Sequence, residues 1–223
     1  MGLKLESHFV AFIDILGFSE MVRHDCESSN SPKYLDILHK SHVQATEILG
    51  EDLQTGLIQF SDSIVFSRAF DLAALDGFIS SVANLQKSMF KNGLLCRGGI
   101  TFGKHFVKDR FMFSKGMIDA YHLESLKAKF PRVIISENLL ELAEPKINLS
   151  SLKLLRADDG LTFVDYLSPD SEDEQSDLIL SVNKFISNLE KSSTSVQEKM
   201  RWLAKYSDYK LKSNLSEPIF SSI

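Results

Sequence analysis

Two aspartates stand where a metal-dependent phosphoryl-transfer site could form. Asp14 ends the apolar run HFVAFID, and Asp62 lies in the polar segment between LIQF and SIVF. If these segments are neighbouring strands of one sheet, both carboxylates emerge at the same edge. Carboxylate oxygens are ligands that Mg²⁺ and Mn²⁺ prefer, and such ions often bridge to substrate phosphates. The ordinary alternative is that Asp14 caps a helix and Asp62 is a turn residue.

Groups that could bind phosphate lie close to these aspartates in the predicted arrangement. A helix is predicted to start at Gly17-Phe18-Ser19, so its first N–H groups would be free to bind an anion. Arg97 precedes two glycines on a predicted strand and could pair with phosphate through two donors, or form a structural ion pair. Glycine within a strand usually marks a bulge or the close approach of another backbone or a ligand, and beside Arg97 we expect a ligand or a dimer partner.

The elements that must position these residues predict an α/β fold. Helices are predicted after Gly17 and at four further places, and the order of elements suits a ferredoxin-like core with split βαβ units around an antiparallel hairpin. The predicted strands cover 8–14, 57–60, 64–67, 94–107, 131–136 and 160–167. The further helices cover 33–49, 71–91, 115–129 and 136–143.

The chain divides on composition into a core and a tail. Residues 1–167 carry the predicted catalytic domain, and 168–177, SPDSEDEQSD, form a polar, acidic linker. Residues 178–223 form the tail, with helices predicted at 178–190 and 194–212.

Composition excludes several classes of protein. The chain has 223 residues and a net charge of −5, so a broad basic surface for nucleic acid is not expected. Its two cysteines cannot make a disulfide framework, which favours a reducing compartment. The N-terminal apolar run is too short for a secretory signal or a membrane span. We therefore expect a cytoplasmic protein with neither nucleic acid nor membrane as a partner.

Four segments, in order and spacing, resemble the class III nucleotidyl cyclases over about residues 8–167. They are FIDILGFS, FSDSIVF, LLCRGGITFGKH and AYHLE. The resemblance implies a ferredoxin-like core that forms a head-to-tail homodimer with active sites at the interface. It also implies that two Mn²⁺ or Mg²⁺ ions bridge the aspartates and a nucleoside triphosphate. The 3′-hydroxyl then attacks the α-phosphate, and pyrophosphate leaves.

The resemblance implies a role for each matching residue. Asp14 and Asp62 would bind the metal ions together with the Ile15 carbonyl. Arg97 would pair with the polyphosphate, and Ile58 would line the substrate site. The remaining substrate-binding positions implied are Gly17, Phe18, Ser19 and Phe60.

The sequence departs from that family at the positions that read the base. Ile58, and a residue near Phe111, stand where the family has charged or polar groups that bind a purine. A site built to hydrogen-bond a purine depends on those groups. We therefore expect UTP or CTP as substrate, with UTP preferred.

A second departure concerns the transition state. Ile118 and His122 stand where the family has an asparagine and an arginine. His122 could donate one hydrogen bond as a catalytic residue, or it could be a surface helix histidine. The family has a phosphate-binding lysine late in the sequence of its catalytic domain, and this chain has no clear match to it. The candidates to replace it are Lys115, Lys127 and Lys129.

In its compact length and its lack of purine-binding residues, the chain most resembles the pyrimidine cyclases of bacterial Pycsar anti-phage systems. That resemblance implies cyclic UMP or cyclic CMP, made after phage infection and sensed by a separate effector. The alternative is a catalytically inactive cyclase-like module that binds a nucleotide or a partner.

Overall fold

The structure is a computed structural model that describes residues 3–29, 31–50, 55–108, 111–187 and 192–217. Its strands are β1 (Glu6–Ile15), β2 (Thr55–Phe60), β3 (Ser63–Ala69), β4 (Cys96–Lys108), β5 (Phe111–Ser114), β6 (Val133–Ile135), β7 (Leu154–Arg156) and β8 (Thr162–Val164). Its helices are α1 (Phe18–Glu27), α2 (Tyr34–Gly50), α3 (Leu75–Lys91), α4 (Lys115–Lys127), α5 (Glu137–Ala143), α6 (Glu172–Ile186) and α7 (Thr194–Leu211). The chain divides into two compact units, with the boundary between Tyr166 and Leu167.

All the strands described belong to one mixed sheet in the first unit. Its order is β2-β3-β1-β4-β6-β8-β7, and β5 pairs with the far end of β4. β1 is antiparallel to both β3 and β4, whereas β4 and β6 are parallel. The prediction of an α/β fold with a hairpin between two split βαβ units is confirmed. The sequence analysis missed β5 and β7, which are four and three residues long and too short for a clear alternation.

One face of this sheet carries the main hydrophobic core. The long helix α3 repeats apolar residues at helical spacing and so buries a continuous stripe against β1 and β3. Phe78 of α3 stacks on Phe66 of β3 with ring centroids 4.8 Å apart. Gly93 follows α3 in the left-handed conformation at φ 83°, as the Asn-Gly pair predicts.

The opposite face carries α4, which packs unusually close to β4. A Cβ atom on Gly99 would stand 2.5 Å from the Ala120 carbonyl oxygen, and one on Gly98 would stand 2.4 Å from the Phe12 carbonyl oxygen. The Thr101 hydroxyl donates to the Gly116 carbonyl at 2.8 Å. The expected close approach is therefore made by backbone of the chain's own α4 and β1, and not, at Gly98 and Gly99, by a ligand or a dimer partner.

The second unit contains α6 and α7, which pack against each other. The prediction that a helix begins at 178 is wrong, since α6 begins at Glu172 inside the acidic segment. Ser171 caps α6 by accepting the Glu174 N–H at 3.1 Å, and Glu172, Asp173 and Glu174 form its first turn. Negative charge there is favourable to the helix dipole, so the acidic composition marks a helix start. Among the residues described, no helix is long and apolar enough to cross a membrane.

Candidate active site

Three strands bring Asp14, Asp62 and Arg97 to one edge of the sheet. Asp14 lies opposite Ser63 of β3 on one side and opposite Arg97 of β4 on the other. The Ile15 N–H donates to the Asp62 carbonyl at 3.0 Å, which fixes the hairpin turn beside the end of β1. The expectation that both carboxylates emerge at the same edge is met by this strand pairing.

The carboxylate of Asp14 is affected by burial and by the charge of Asp62. Burial raises the pKa of Asp14, the nearby Asp62 charge raises it further, and Arg97 lowers it in part. The lowering effect of Arg97 is therefore smaller than the combined effect of burial and the Asp62 charge. A divalent cation between the two carboxylates would relieve their repulsion.

The donor set fits a hydrated or substrate-bridged ion. No group of three or more histidine, cysteine, aspartate or glutamate side chains within the described ranges forms a metal cage. Mg²⁺ is commonly held by one or two carboxylates, with water and substrate phosphates as its other ligands. Asp14 and Asp62 supply the carboxylates. The Ile15 backbone lies beside Asp62, to whose carbonyl its N–H donates.

The start of α1 offers donors to an anion. Gly17 takes the left-handed conformation at φ 79° and turns the chain from β1 into the helix. No side chain caps this end, and the described residues provide no acceptor for the N–H groups of Gly17, Phe18 and Ser19. These N–H groups follow Asp14 directly along the chain, so phosphates there would lie close to an ion on the carboxylates.

A fourth charged residue, Glu124, belongs to this cluster and was missed by the sequence analysis. Its side chain is 3% exposed, and its Oε1 atom lies 2.7 Å from Nε of Arg97. Burial raises the pKa of Glu124, and Arg97 is the largest opposing influence. The buried residues of α4 are Gly116, Ala120 and Glu124, four residues apart, but only the packing shows that this side is buried. A carboxylate on an apolar helical stripe needs a partner.

The positions assigned to the base lie on β2 and β5. Ile58 is half-buried and packs with the cluster of Val10, Phe12 and Val65. Phe60 is 81% exposed at the end of β2, and Phe111 is 59% exposed on β5. None of these side chains carries a group that could hydrogen-bond a base.

Ile118 and His122 lie on the exposed side of α4. Ile118 is 51% exposed, and His122 has a ring contact with Tyr121 at 5.8 Å. Neither has a contact with Asp14 or Asp62 among those the structure describes. Of the candidate lysines, Lys115 pairs with Asp119 on the same helix, and Lys127 and Lys129 are exposed. The structure therefore gathers the acids and Arg97, but not the candidates for stabilising the transition state.

The solved structures that share this fold are cyclase domains and a cyclase-like protein. The adenylyl cyclase CyaB from P. aeruginosa is 17% identical at a TM-score of 0.48, and the match covers 78% of this chain and 99% of that one. The monomeric guanylyl cyclase domain of the RhoGC fusion protein from the aquatic fungus Blastocladiella emersonii is 15% identical at a TM-score of 0.49, covering 74% and 98%. A class III adenylyl cyclase-like ATP-binding protein from Pseudomonas aeruginosa is 13% identical at a TM-score of 0.50, covering 78% and 41%. No protein-family model and no curated protein matches the chain.

At these identities the likeness defines the fold. The chain has the mixed α/β fold of class III cyclase domains, with a helical pair after it.

Proposed function

We propose that the protein is a metal-dependent nucleotidyl cyclase that acts on a pyrimidine nucleoside triphosphate. The observation that carries the proposal is the meeting of Asp14, Asp62 and Arg97 beside the uncapped start of α1. Two acids, one guanidinium and a row of free N–H groups suit a triphosphate with its metal ions, and they occur in a fold that cyclases use.

Each part of the cluster has a task in this reaction. Divalent ions, when bound, lower the pKa of the attacking 3′-hydroxyl and neutralise the leaving pyrophosphate. Asp14, Asp62 and the Ile15 carbonyl would hold those ions. The N–H groups of residues 17–19 would bind and orient phosphate oxygens, and Arg97 would offset charge on the polyphosphate.

The apolar base positions support a pyrimidine rather than a purine, and of the two pyrimidine nucleotides we propose UTP. Ile58 and Phe111 offer no donor or acceptor to a purine edge, so they lack the groups that would make ATP or GTP preferable. Half-buried Ile58 and exposed Phe60 give an apolar surface against which a base can pack.

We further propose that the active enzyme is a homodimer with its sites at the interface. The support is the exposed apolar side chains of two consecutive elements, which we name the β5–α4 surface: Phe111, Phe113, Ile118 and Tyr121. Exposed apolar side chains concentrated on adjoining elements are typical of an interaction site. In such a dimer, Ile118 and His122 of one copy would face the substrate bound by the other copy. The product, cyclic UMP or cyclic CMP, would be a cytoplasmic second messenger that a separate anti-phage effector senses.

A product assay with the four nucleoside triphosphates and Mn²⁺ tests the activity. We expect a cyclic product and pyrophosphate from UTP or CTP. We expect Asp62→Asn to reduce turnover by roughly 100-fold or more, because a group that holds charge in the transition state is lost. Glu141→Gln, an exposed carboxylate change on α5, is the control and should leave turnover unchanged. Conversion of ATP alone would refute the pyrimidine preference, and full activity of Asp62→Asn would remove Asp62 from the metal site.

The second candidate is a catalytically inactive module that binds a nucleotide. The exposed, uncharged Ile118 at an expected transition-state position favours it. So does the likeness to a protein described as cyclase-like and ATP-binding. Binding of an intact triphosphate with no product from any of the four would support this candidate.

A further inference from the structure

The buried carboxylate of Glu124 has no role in the site as described so far. A carboxylate that is 3% exposed is costly unless an opposite charge accompanies it. Arg97 supplies that charge, yet the pairing between them is incomplete. Oε1 of Glu124 receives no hydrogen bond, although Nε of Arg97 is only 2.7 Å away.

The incomplete pairing arises because Arg97 is divided between two acids. Its Nε–H donates to Oδ2 of Asp14 over 3.4 Å, which is long for a hydrogen bond, and Nη1 donates to the Ala128 carbonyl over 3.4 Å. The Glu124 oxygen is thus nearer to Nε than the oxygen that receives the hydrogen. Unpartnered buried acceptors are rare, and one beside a charged donor suggests a second arrangement of that donor.

We propose that Glu124 is the positioning residue for Arg97, and that it would accept a hydrogen bond from the Arg97 Nε–H once a divalent ion is bound to Asp14. The inference rests on the proposed function. An ion on Asp14 removes the attraction that draws Nε away, and a small turn of the guanidinium then completes the bond to Oε1. With Nε anchored on Glu124, the terminal nitrogens are directed to phosphate in a fixed orientation.

The position of Glu124 suits this task. α4 is held against β4 by close contact at Gly99, where an added Cβ would lie 3.2 Å from the Glu124 N atom. The carboxylate is therefore carried by a rigid helix, and Arg97 by the strand on which that helix packs. A long, flexible side chain anchored in this way loses less freedom when it binds phosphate.

Calorimetric binding of inorganic tripolyphosphate in the presence of Mn²⁺ tests the inference without a base or a reaction. We expect Glu124→Gln, which keeps the shape but loses the charge, to weaken binding about tenfold, in the range of typical coupling energies. Arg97→Met should weaken binding as well, and Glu124→Gln in that background should cause little further loss. Glu124→Asp keeps the charge at shorter reach and should give an intermediate affinity. Glu141→Gln is the matched control.

The outcomes distinguish a role of Glu124 in positioning Arg97 from a role in the stability of the fold alone. If Glu124→Gln weakens binding equally with and without Arg97, it acts through the fold and the inference is overturned. Unchanged affinity in the folded Glu124→Gln variant overturns it also. If the wild-type protein binds no tripolyphosphate with Mn²⁺, the proposed function fails and this inference fails with it. Thermal unfolding of each variant establishes that it is folded, and Glu124→Asp decides the outcome should Glu124→Gln not fold.

Discussion

At the scale of single residues, the site holds more negative than positive charge. Asp14, Asp62 and Glu124 outnumber the one guanidinium among them, and burial raises the pKa of both Asp14 and Glu124. The cluster therefore favours cations over neutral ligands. Asp14, Asp62 and Arg97 could be predicted from sequence because each lies at a strand end or beside glycines. Glu124 could not, because only the packing of α4 shows which helical face is buried.

A second buried polar contact gives a testable pH dependence. His105 of β4 is 1% exposed, and its Nδ1 lies 2.7 Å from the Ser114 hydroxyl, which also accepts the Met117 N–H and so caps α4. The Ser114 hydroxyl can donate to a neutral His105, and burial disfavours the charged imidazole. Burial, and then the neighbouring His8, lower the pKa of His105 to about 4.

We predict that the free energy of unfolding falls as the pH drops from about 6.5 to 4. The unfolded histidine takes up a proton near pH 6.5, but the folded one resists until about pH 4, so acid favours the unfolded chain. The full effect is on the order of 3 kcal/mol and is absent above pH 6.5. Urea unfolding at several pH values should show a smaller slope for His105→Asn than for the wild type. Equal slopes would contradict the assignment.

At the scale of elements, the precision of the site is set by the contact of α4 with β4. Helix α4 has little apolar periodicity, and its buried side is made of glycine, alanine and the charged Glu124. The sequence predicts the helix but not which face packs, because these residues give a weak apolar signal. By contrast β1 is a continuous apolar run and α3 has a strong helical pattern, and both were predicted to within a few residues.

We predict that Gly99→Ala both destabilises the protein and impairs the site. The new Cβ would meet the Ala120 carbonyl oxygen at 2.5 Å, and backbone cannot move aside as a flexible side chain can. Overpacking of this kind costs about 1–3 kcal/mol and would shift α4 with Glu124. Thermal unfolding and tripolyphosphate binding measure the two effects.

The matched control for that change is Gly77→Ala on the exposed side of α3. Its Cβ would meet only the end of the Arg68 side chain at 3.2 Å, and alanine is a better helix former than glycine. The unfolding temperature should stay the same or rise slightly. A Gly99→Ala variant as stable as Gly77→Ala would show that α4 is not held as the structure describes.

At the scale of the whole molecule, one copy leaves the proposed chemistry unfinished. The β5–α4 surface is apolar and exposed, and it includes Ile118 next to His122 on the same helix. Composition could not reveal this surface, because an apolar residue in the sequence predicts burial and only the fold shows which ones stay outside. The acidic charge of the chain is consistent with an active site that relies on metal ions and on Arg97 to bind a polyanion.

We predict that Phe113→Asp prevents dimerisation and lowers turnover together. Phe113 is 61% exposed on β5, so a charge there should be tolerated by the folded single chain and opposed by a partner surface. Light scattering at several concentrations should show a dimer for the wild type and a single chain for the variant. Leu180→Asp, a similarly exposed change on α6, is the control and should do neither. A wild type that stays monomeric while active would refute the proposed interface.

The strand order of the first unit also has a consequence for how the protein acquires its activity. Asp14 and Arg97 are 83 positions apart along the chain, and Asp62 reaches them through a third strand. Contacts of such long range form slowly, because the entropic cost of closing a large loop comes before the stabilisation that the contacts provide. A growing chain that has not yet added β4 therefore carries neither a complete acid pair with its guanidinium nor the strand on which α4 rests. Competence to bind a triphosphate should therefore arise only after β4 has joined β1, and α4 must follow before Glu124 can pair with Arg97.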